Sequence, residues 1–237
     1  METIRNLLLS AFIAALSTQA IAQEETGITR EIEVGGLFTS GNTDEQSLNF
    51  AGAINIDRGN WDYDFSLDAL YSSSDNVVKS QRWYTVASAE YEFTEFSFFQ
   101  SRFSHEDDRF SGFDSQSDLT FSYGRGFLRN RTDMGLTLRA GLGIRWSRLD
   151  NSDFDEPILR FAGDYDWTIS QSAEFNQELS TEYGTDSTIY RSVSSIETKI
   201  LENLSLRFSL KIKHQTVVPP GREETDTETA FTFVMVF

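Results

Sequence analysis

The sequence contains no cysteine, only 3 prolines and far fewer basic than acidic residues. The absence of cysteine excludes a disulfide framework. The chain has 20 Lys and Arg against 37 Asp and Glu, a formal net charge of -17, which argues against nucleic-acid binding because that needs clustered basic residues. Mean hydropathy is -0.37, and after residue 22 the sequence has no apolar run long enough to span a membrane as a helix. A helical membrane protein is therefore also excluded.

The first 22 residues have the three parts of a secretory signal peptide. Arg5 supplies the positive charge, Leu7–Leu16 forms the apolar core, and Ala20-Ile21-Ala22 fits the small-x-small cleavage rule. The alternative, a membrane-anchoring helix, needs a longer apolar run. The sequence thus predicts a cleaved signal peptide over residues 1–22 and export from the cytoplasm. Residues 23–29 then form an N-terminal periplasmic segment.

The stretch Thr225–Phe237 alternates with a period of two. One series carries the large apolar side chains Phe231, Phe233, Met235 and Phe237, and the other series is smaller and mixed. This period predicts a strand with one apolar face. A terminal strand ending in Phe resembles the C-terminal signature of bacterial outer-membrane β-barrels. The resemblance implies that these four residues form the insertion signal and that the strand closes the barrel. The alternative is the last strand of a soluble β-sandwich.

Similar alternation recurs in about twelve segments over residues 30–237. Trp61–Tyr71 and Leu136–Trp146 are clear examples, whereas the register of Phe96–His105 is ambiguous and Tyr190–Ile200 alternates only weakly. Many segments reach ten residues, enough to cross a bilayer while tilted, whereas sandwich strands have about 5–6 residues. The sequence therefore predicts an all-β fold, an antiparallel transmembrane β-barrel of about twelve strands with N and C termini in the periplasm.

The connections between these segments support the barrel because short and long ones alternate. The tight connections are Asp57–Asn60, Thr94–Glu95, Ser170–Ser172 and Leu201–Asn203, and the longer polar ones are Ser72–Ser80, Glu106–Phe113, Asp150–Glu156 and Val217–Glu224. The tight connections are predicted to be periplasmic and the longer ones extracellular.

All four tryptophans lie on the apolar face, near predicted strand ends. Trp61 begins the third strand and Trp167 ends the eighth, both on the predicted periplasmic side. Trp83 begins the fourth strand and Trp146 ends the seventh, both on the extracellular side. This arrangement predicts two aromatic girdles at the membrane interfaces.

The motif Leu37–Asp44, followed by an alternating strand, resembles the start of the family named for salt-induced outer-membrane proteins (domain-of-unknown-function family 481). The strand Phe208–His214, the proline-containing loop after it and Thr225–Phe237 also resemble that family. The resemblance implies an outer-membrane barrel linked to salt or osmotic stress. It supplies no biochemical activity and no functional residues.

The residues give little support to catalysis or metal binding. A barrel hydrolase needs a His beside a Ser or an acid, and the chain has only His105, in an acidic strand end, and His214, beside which no partner Ser is identifiable. The acidic segment Asp150–Glu156 could bind Ca²⁺ weakly but lacks the turn glycine of an EF-hand. We expect no catalytic residues, no cofactor and no resident metal. A barrel hydrolase acting on lipid or peptide and a soluble periplasmic β-sandwich binding protein remain alternatives.

In the barrel interpretation the polar series faces the lumen. The predicted lumen charges are Asp62, Asp64, Asp68, Arg139, Arg145, Arg160, Asp164, Asp166, Glu174, Glu178, Glu182, Arg207, Lys211 and Lys213. They could pair across the lumen and plug it, or line a pore that orients small charged or zwitterionic solutes. The sequence therefore favours a narrow channel with mild cation preference, or a purely structural barrel.

The expected partners follow from this interpretation. The barrel is expected to be a monomer in the outer membrane of a Gram-negative bacterium. It would contact outer-membrane lipid and lipopolysaccharide there, after insertion by the barrel-assembly machinery.

Overall fold

The computed structural model describes residues 27–39, 45–75, 77–109, 111, 113–128, 130–149 and 152–237. The predicted signal peptide lies outside these residues, as does most of the predicted periplasmic segment 23–29. Within the described chain the strands are β1 (Ile28–Thr39), β2 (Glu45–Arg58), β3 (Trp61–Ser74), β4 (Val77–Thr94), β5 (Ser97–Asp108), β6 (Ser115–Phe127), β7 (Met134–Leu149), β8 (Ser152–Ser170), β9 (Ala173–Gly184), β10 (Thr188–Leu201), β11 (Leu204–Gln215) and β12 (Thr225–Val236). No helix in this described part is long and apolar enough to cross a membrane.

Each strand pairs antiparallel with its neighbour in sequence, and β1 pairs with β12 to close the sheet. This confirms the predicted all-β, twelve-stranded antiparallel barrel. A β-sandwich is wrong because the sheet closes on itself instead of stacking as two layers. We call the end with Ile28 and Val236 the terminal end, and the opposite end the loop end. The periplasmic location of the termini stays a prediction.

The barrel is apolar outside and polar inside. On β12, Phe231 is 65% exposed while the next residue, Thr232, is 2% exposed. The same contrast separates Leu142 from Arg145 on β7, at 64% and 0%. Successive side chains of a strand point to opposite faces, so an alternating sequence gives one apolar and one polar surface. The outer surface has the character required for contact with lipid.

Tight turns join the strands at the terminal end, as at Gly59-Asn60, where Gly59 has a φ of 71°. The long connections predicted at the loop end are partly wrong. β3 continues to Ser74 and β4 begins at Val77, and β8 begins at Ser152, so most of Ser72–Ser80 and Asp150–Glu156 is strand. Serines and alternating acids can continue a strand ladder where both faces meet water. The two ends of the barrel therefore differ mainly because strands such as β4 and β8 are extended at the loop end, and less because the loops there are long.

All four tryptophans are on the outer face, with exposures between 37% and 52%. Trp61 starts β3, and Trp146 and Trp167 lie close to the ends of β7 and β8. The placement of Trp83 at a strand start is wrong, because β4 begins at Val77. The girdle role of these residues stays a prediction.

The adjacent phenylalanines on β5 are placed on opposite faces. Phe98 is 3% exposed and faces the lumen, whereas Phe99 is 58% exposed and faces outward. Gly124 on β6 makes room for Phe98, since a Cβ at that position would overlap its ring. The Arg139 guanidinium carbon lies 5.2 Å from the ring centroid. This register turns Gln100, Arg102, Ser104 and Glu106 into the lumen.

The seam between β1 and β12 is short. Its register runs from Glu31 opposite Val236 to Val34 opposite Phe233. Beyond it, Phe237 N donates to Arg30 O at 2.9 Å and Arg30 N donates to Phe237 O at 3.2 Å. The other ladders run along most of their strands. The terminal residue thus takes part in closing the barrel.

Candidate functional site in the barrel lumen

Ion pairs between strands that are not neighbours identify the charges inside the barrel. Asp68 on β3 bonds Lys211 on β11, and Arg139 on β7 contacts Glu90 on β4 at 3.2 Å. Such pairs can form only across the interior of a closed sheet. The predicted lumen charges on β3, β7, β8, β9 and β11 all fall in the inward series of the observed registers.

Arg145 is the centre of a buried network in the loop half of the lumen. Its guanidinium lies 3.0 Å from Asp118, 3.2 Å from Glu156 and 3.3 Å from Glu182, and it also donates to the Ser187 carbonyl at 3.2 Å. Its side chain is 0% exposed and its three acidic partners are at most 4% exposed. A fully buried cation is tolerated only with such pairing, so this network stabilises the buried charge in the wall between β6 and β9.

Glu106 joins opposite walls of the barrel. It lies on β5, and its Oε2 accepts from Arg191 Nη2 on β10 at 2.9 Å and lies 2.8 Å from Lys213 Nζ on β11. Strands β5 and β11 are diametrically opposed in the ring of twelve. Arg82 on β4 also contacts Glu228 on β12 at 2.8 Å. Side chains therefore bridge the lumen at this level and narrow it strongly.

The terminal half of the lumen is acidic and open to solvent. The acids in the inward series are Glu31, Glu33, Asp57, Asp62, Asp64, Glu90, Glu92, Asp164, Asp166, Glu174, Glu178 and Glu197, and the bases are Arg139, Lys199 and Arg207. We call this region the acidic chamber. Asp64, Asp166, Glu174 and Glu178 are exposed although they face inward. Because carboxylates outnumber bases here, the chamber carries a negative potential.

Two bases in the acidic chamber are held by several carboxylates. Arg207 lies 2.8 Å from Glu31, 2.9 Å from Glu33 and 2.6 Å from Glu197. Arg139 bonds Asp164 as well as Glu90. Within the described chain, Asp62, Asp166, Glu174 and Glu178 form no ion pair. The structure thus brings some predicted charges together as pairs and leaves others facing the open lumen.

Several residues of this site were missed by sequence reasoning. Arg102 lies in the segment of ambiguous register, Arg191 lies in a weakly alternating segment, and Glu106 and Glu156 were assigned to loops. For Arg102 and Glu106 a signal exists, because Gln100 to Glu106 alternate as a polar series once Phe98 is placed inside. The ion pairs across the barrel depend on topology, which strand alternation alone does not encode.

Both histidines lie on the outer face near the loop end. His105 Nδ1 is 2.8 Å from Ser117 Oγ, and His214 Nδ1 is 2.9 Å from Thr225 Oγ1. His105 lies in the acidic end of β5, as expected, but it is half-buried there and bonded across the ladder.

The acids considered for Ca²⁺ binding diverge. Asp153 pairs outside the lumen with Arg148 at 3.0 Å, whereas Glu156 turns inward to Arg145. Strand alternation separates them, and the described residues contain no group of three or more metal-binding side chains.

A closed antiparallel barrel with an apolar outer surface and a charged lumen belongs to the outer-membrane class of β-barrels. Its fold is similar to that of the NanC porin, with a TM-score of 0.53 and 9% identity over 87% of this chain and 98% of that chain. It is also similar to an outer membrane channel from Pseudomonas putida F1, with a TM-score of 0.51 and 9% identity over 93% of this chain and 98% of that chain. At this identity the similarity concerns the fold.

The family model described as "Protein of unknown function, DUF481" matches residues 32–237, and the chain belongs to this family. The predicted membership of domain-of-unknown-function family 481 is thereby confirmed. A curated relative is the uncharacterized protein YdiY of Escherichia coli strain K12. It is 25% identical over 200 residues, which cover 84% of this chain and 79% of the relative.

Proposed function

We propose that this protein is an outer-membrane channel that passes small cations through a narrow lumen, and that the described conformation is closed at the loop end. One observation carries the proposal. The inward acids at the terminal end face open solvent, whereas ion pairs bridge the lumen at the loop end. An open acidic chamber that leads to a bridged constriction is the arrangement expected of a channel in a closed state.

The preference for cations follows from the chamber charges. Carboxylates on the walls of a low-dielectric tube focus their field into the lumen and raise the local concentration of cations. Asp62, Asp166, Glu174 and Glu178 contribute most, because no ion pair with a described residue offsets their charge. Anions are repelled at the same entrance.

The constriction is the natural gate. Conduction requires that Glu106 exchange its contacts with Arg191 and Lys213 for water, since these contacts join opposite walls. Water can hydrate the three side chains once these contacts separate. Arg191 also bonds Glu182, and its charge is therefore compensated when Glu106 leaves.

The proposal includes the location and partners of the barrel. The terminal end faces the periplasm, the loop end faces outward towards lipopolysaccharide, and the apolar surface contacts lipid as a monomer. The predicted signal peptide directs export, and the β12 signal ending at Phe237 is read by the barrel-assembly machinery. A link to salt or osmotic stress, which the family resemblance implies, stays a prediction that transcript levels at low and high salt would test.

Conductance in planar bilayers tests the channel. The refolded protein should give rare steps, and the reversal potential under a KCl gradient should favour K⁺. Replacing Asp64, Glu174 and Glu178 together by their amides should reduce this selectivity. The control, Asp133→Asn in the β6–β7 turn, should not change it. Absence of steps in the parent and in the Arg139→Ala and Arg145→Ala variants would reject the pore, and selectivity for anions would reject the cation preference alone.

A barrel hydrolase is the second candidate, favoured by the contact between His105 and Ser117. The pair lies on β5 and β6, each of which is paired on both sides, so the nearby backbone N–H groups are used by the ladders. They cannot stabilise an oxyanion, and such stabilisation usually contributes most to the rate of acyl transfer. We therefore rank the hydrolase second. Phospholipid hydrolysis that is lost in Ser117→Ala would reverse this ranking.

A further inference from the structure

Arg160, on β8 above the acidic chamber, is buried and incompletely paired. It is 8% exposed, and its Nε and Nη1 have no hydrogen-bond partner among the described residues. Its one ion pair within that part of the chain is with Glu182 Oε1, at 3.7 Å. Glu182 already binds Arg145 and Arg191. The positive charge of Arg160 is thus poorly compensated by its surroundings.

A second arginine adds to this positive charge. Arg102, on β5, is 7% exposed and donates to two hydroxyls, Tyr84 at 2.6 Å and Ser104 at 3.2 Å. In the register Arg102 lies opposite Thr120 on β6, and the next inward residue of β6, Ser122, is separated from Arg160 by Gly141 on β7. Neutral hydroxyls orient a guanidinium but do not neutralise it. We call Arg102 and Arg160 the arginine layer.

Unused hydroxyls lie beside the arginine layer on β6. Thr120 and Ser122 are 0% and 4% exposed, and their Oγ atoms have no hydrogen-bond partner within the described chain. In the register, Gly141 lies between Ser122 and Arg160, and a Cβ there would overlap the Ser122 hydroxyl. Several unused donors therefore face this part of the lumen. Buried donors of this kind are normally satisfied, so their number favours an anionic ligand in this part of the lumen.

Asp164 on β8 and Glu178 on β9 are the acids of the acidic chamber that lie nearest to Arg160 along these two strands. Asp164 is four residues from Arg160 on β8, about 13 Å of strand. Glu178 on β9 is directly opposite Asp164 in the register and is exposed to the lumen. Asp164 is bonded to Arg139, whereas Glu178 forms no ion pair with a described residue. Positive and negative groups thus follow each other along the lumen axis.

We propose that the boundary between the arginine layer and the acidic chamber binds a small zwitterion. Its carboxylate binds Arg160 and Arg102, and its ammonium group lies between Glu178 and Asp164. A simple cation would leave the arginine layer unpaired, and a simple anion would be repelled by the chamber that it must cross. One molecule that carries both charges pairs with the arginine layer and with the acids of the acidic chamber. This inference rests on the proposed function only for the route of entry through the terminal end.

The distance between the arginine layer and the nearest acids of the acidic chamber indicates the class of zwitterion. The Cα positions of Arg160 and Asp164 are separated by roughly 13 Å of strand, and the long Arg160 side chain shortens the gap between the charges when it leans along the strand towards Asp164. An ω-amino acid, with its amino group several bonds from the carboxylate, spans such a gap. We expect 4-aminobutyrate and 6-aminohexanoate to bind more tightly than glycine.

Calorimetric titration of the refolded protein in detergent tests the site. The probes are 4-aminobutyrate and its two single-charge analogues, butyrate and butylamine. We expect 4-aminobutyrate to bind at least tenfold more tightly than either analogue. Arg160→Gln should weaken the binding of 4-aminobutyrate at least tenfold. Glu178→Gln should make 4-aminobutyrate bind no more tightly than butyrate. Arg131→Gln, in the exposed β6–β7 turn, is the matched control and should bind like the parent.

The possible outcomes distinguish a failure of this binding site from a failure of the proposed channel. Calorimetry needs no conduction, so binding that depends on Arg160 supports the site even if bilayers show no steps. Cation current without any advantage of 4-aminobutyrate over butylamine would overturn the site and leave the channel standing. Unchanged binding in Arg160→Gln would also overturn it. Heat-modifiable mobility on gels checks that each variant folds, and Arg160→Lys, which keeps the charge but loses the planar fork, should bind with intermediate affinity.

Discussion

Replacing Glu106 by Gln removes one charge from the constriction while keeping the shape of the side chain. Glu106 is 5% exposed and serves two cations on the opposite wall, Arg191 at 2.9 Å and Lys213 at 2.8 Å. Breaking a buried ion pair on one side costs about 3–5 kcal/mol, because a charge is left without its partner. Arg191 keeps Glu182 and the new amide still accepts one hydrogen bond, so we expect a loss of about 3 kcal/mol, at the low end of this range.

Two measurements follow this change. Unfolding of the refolded barrel in urea, monitored by fluorescence of the four tryptophans, should show the loss of stability. Bilayer recordings should show a higher open probability, since the contacts between β5 and β11 are weakened. The matched control is Asp153→Asn, which breaks an exposed pair with Arg148 at the loop end and should change neither quantity.

A compensating variant makes this reasoning refutable. Replacing Glu106 by Leu together with Lys213 by Met removes both charges, and buried ion pairs replaced by apolar side chains are often neutral or stabilising. The double variant should therefore recover most of the stability and remain closed. Equal stability of Glu106→Gln and the parent, with unchanged open probability, would show that these contacts neither hold nor gate the barrel.

Three further changes test other parts of the structure. Replacing Phe231 and Phe233 by Asp puts charge on the lipid face at up to about 2 kcal/mol each and should leave the protein in the periplasm, whereas normal outer-membrane yield would contradict the insertion signal. Gly124→Ala should destabilise by about 1–3 kcal/mol through overlap with Phe98, and adding Phe98→Leu should restore part of this in urea unfolding. Arg145→Ala removes the only ion-pair partner that Asp118 and Glu156 have among the described residues and one of those of Glu182, and should cost at least about 3 kcal/mol, so a smaller loss would show that water compensates these acids.

Strand alternation was sufficient to predict the barrel and much of its inward face. On β7 and β8, clear alternation placed Arg139, Arg145 and Arg160 in the inward series in which the registers have them. It failed on β5, where neighbouring apolar residues allow two registers. The space beside Gly124 accommodates the ring of Phe98 in the inward register, and the polar series from Gln100 to Glu106 agrees with that register.

The pairing of the charges was less predictable than their direction. Alternation gives the face of each residue, but the height of a residue in a tilted barrel depends on every register around the ring. Glu106 and Lys213 meet because β5 and β11 are opposed and carry these residues at the same height. Neither fact is visible in either strand alone. The sequence therefore left a plugged and an open lumen as alternatives.

The seam between β1 and β12 has fewer paired residues than the neighbouring ladders, so it is the weakest junction in the closed sheet. A ring under lateral strain opens at the link with the fewest bonds, and this one is held from Arg30 to Val34 on one side and from Phe233 to Phe237 on the other. Once it parts, the edge of β12 becomes a template on which a strand of another protein can pair. We therefore expect the last residues of the chain to act as a latch, at which the closed sheet opens first and to which the proposed barrel-assembly machinery would bind before β1 pairs with β12. Amide hydrogens of this latch should exchange with solvent before those of any other ladder.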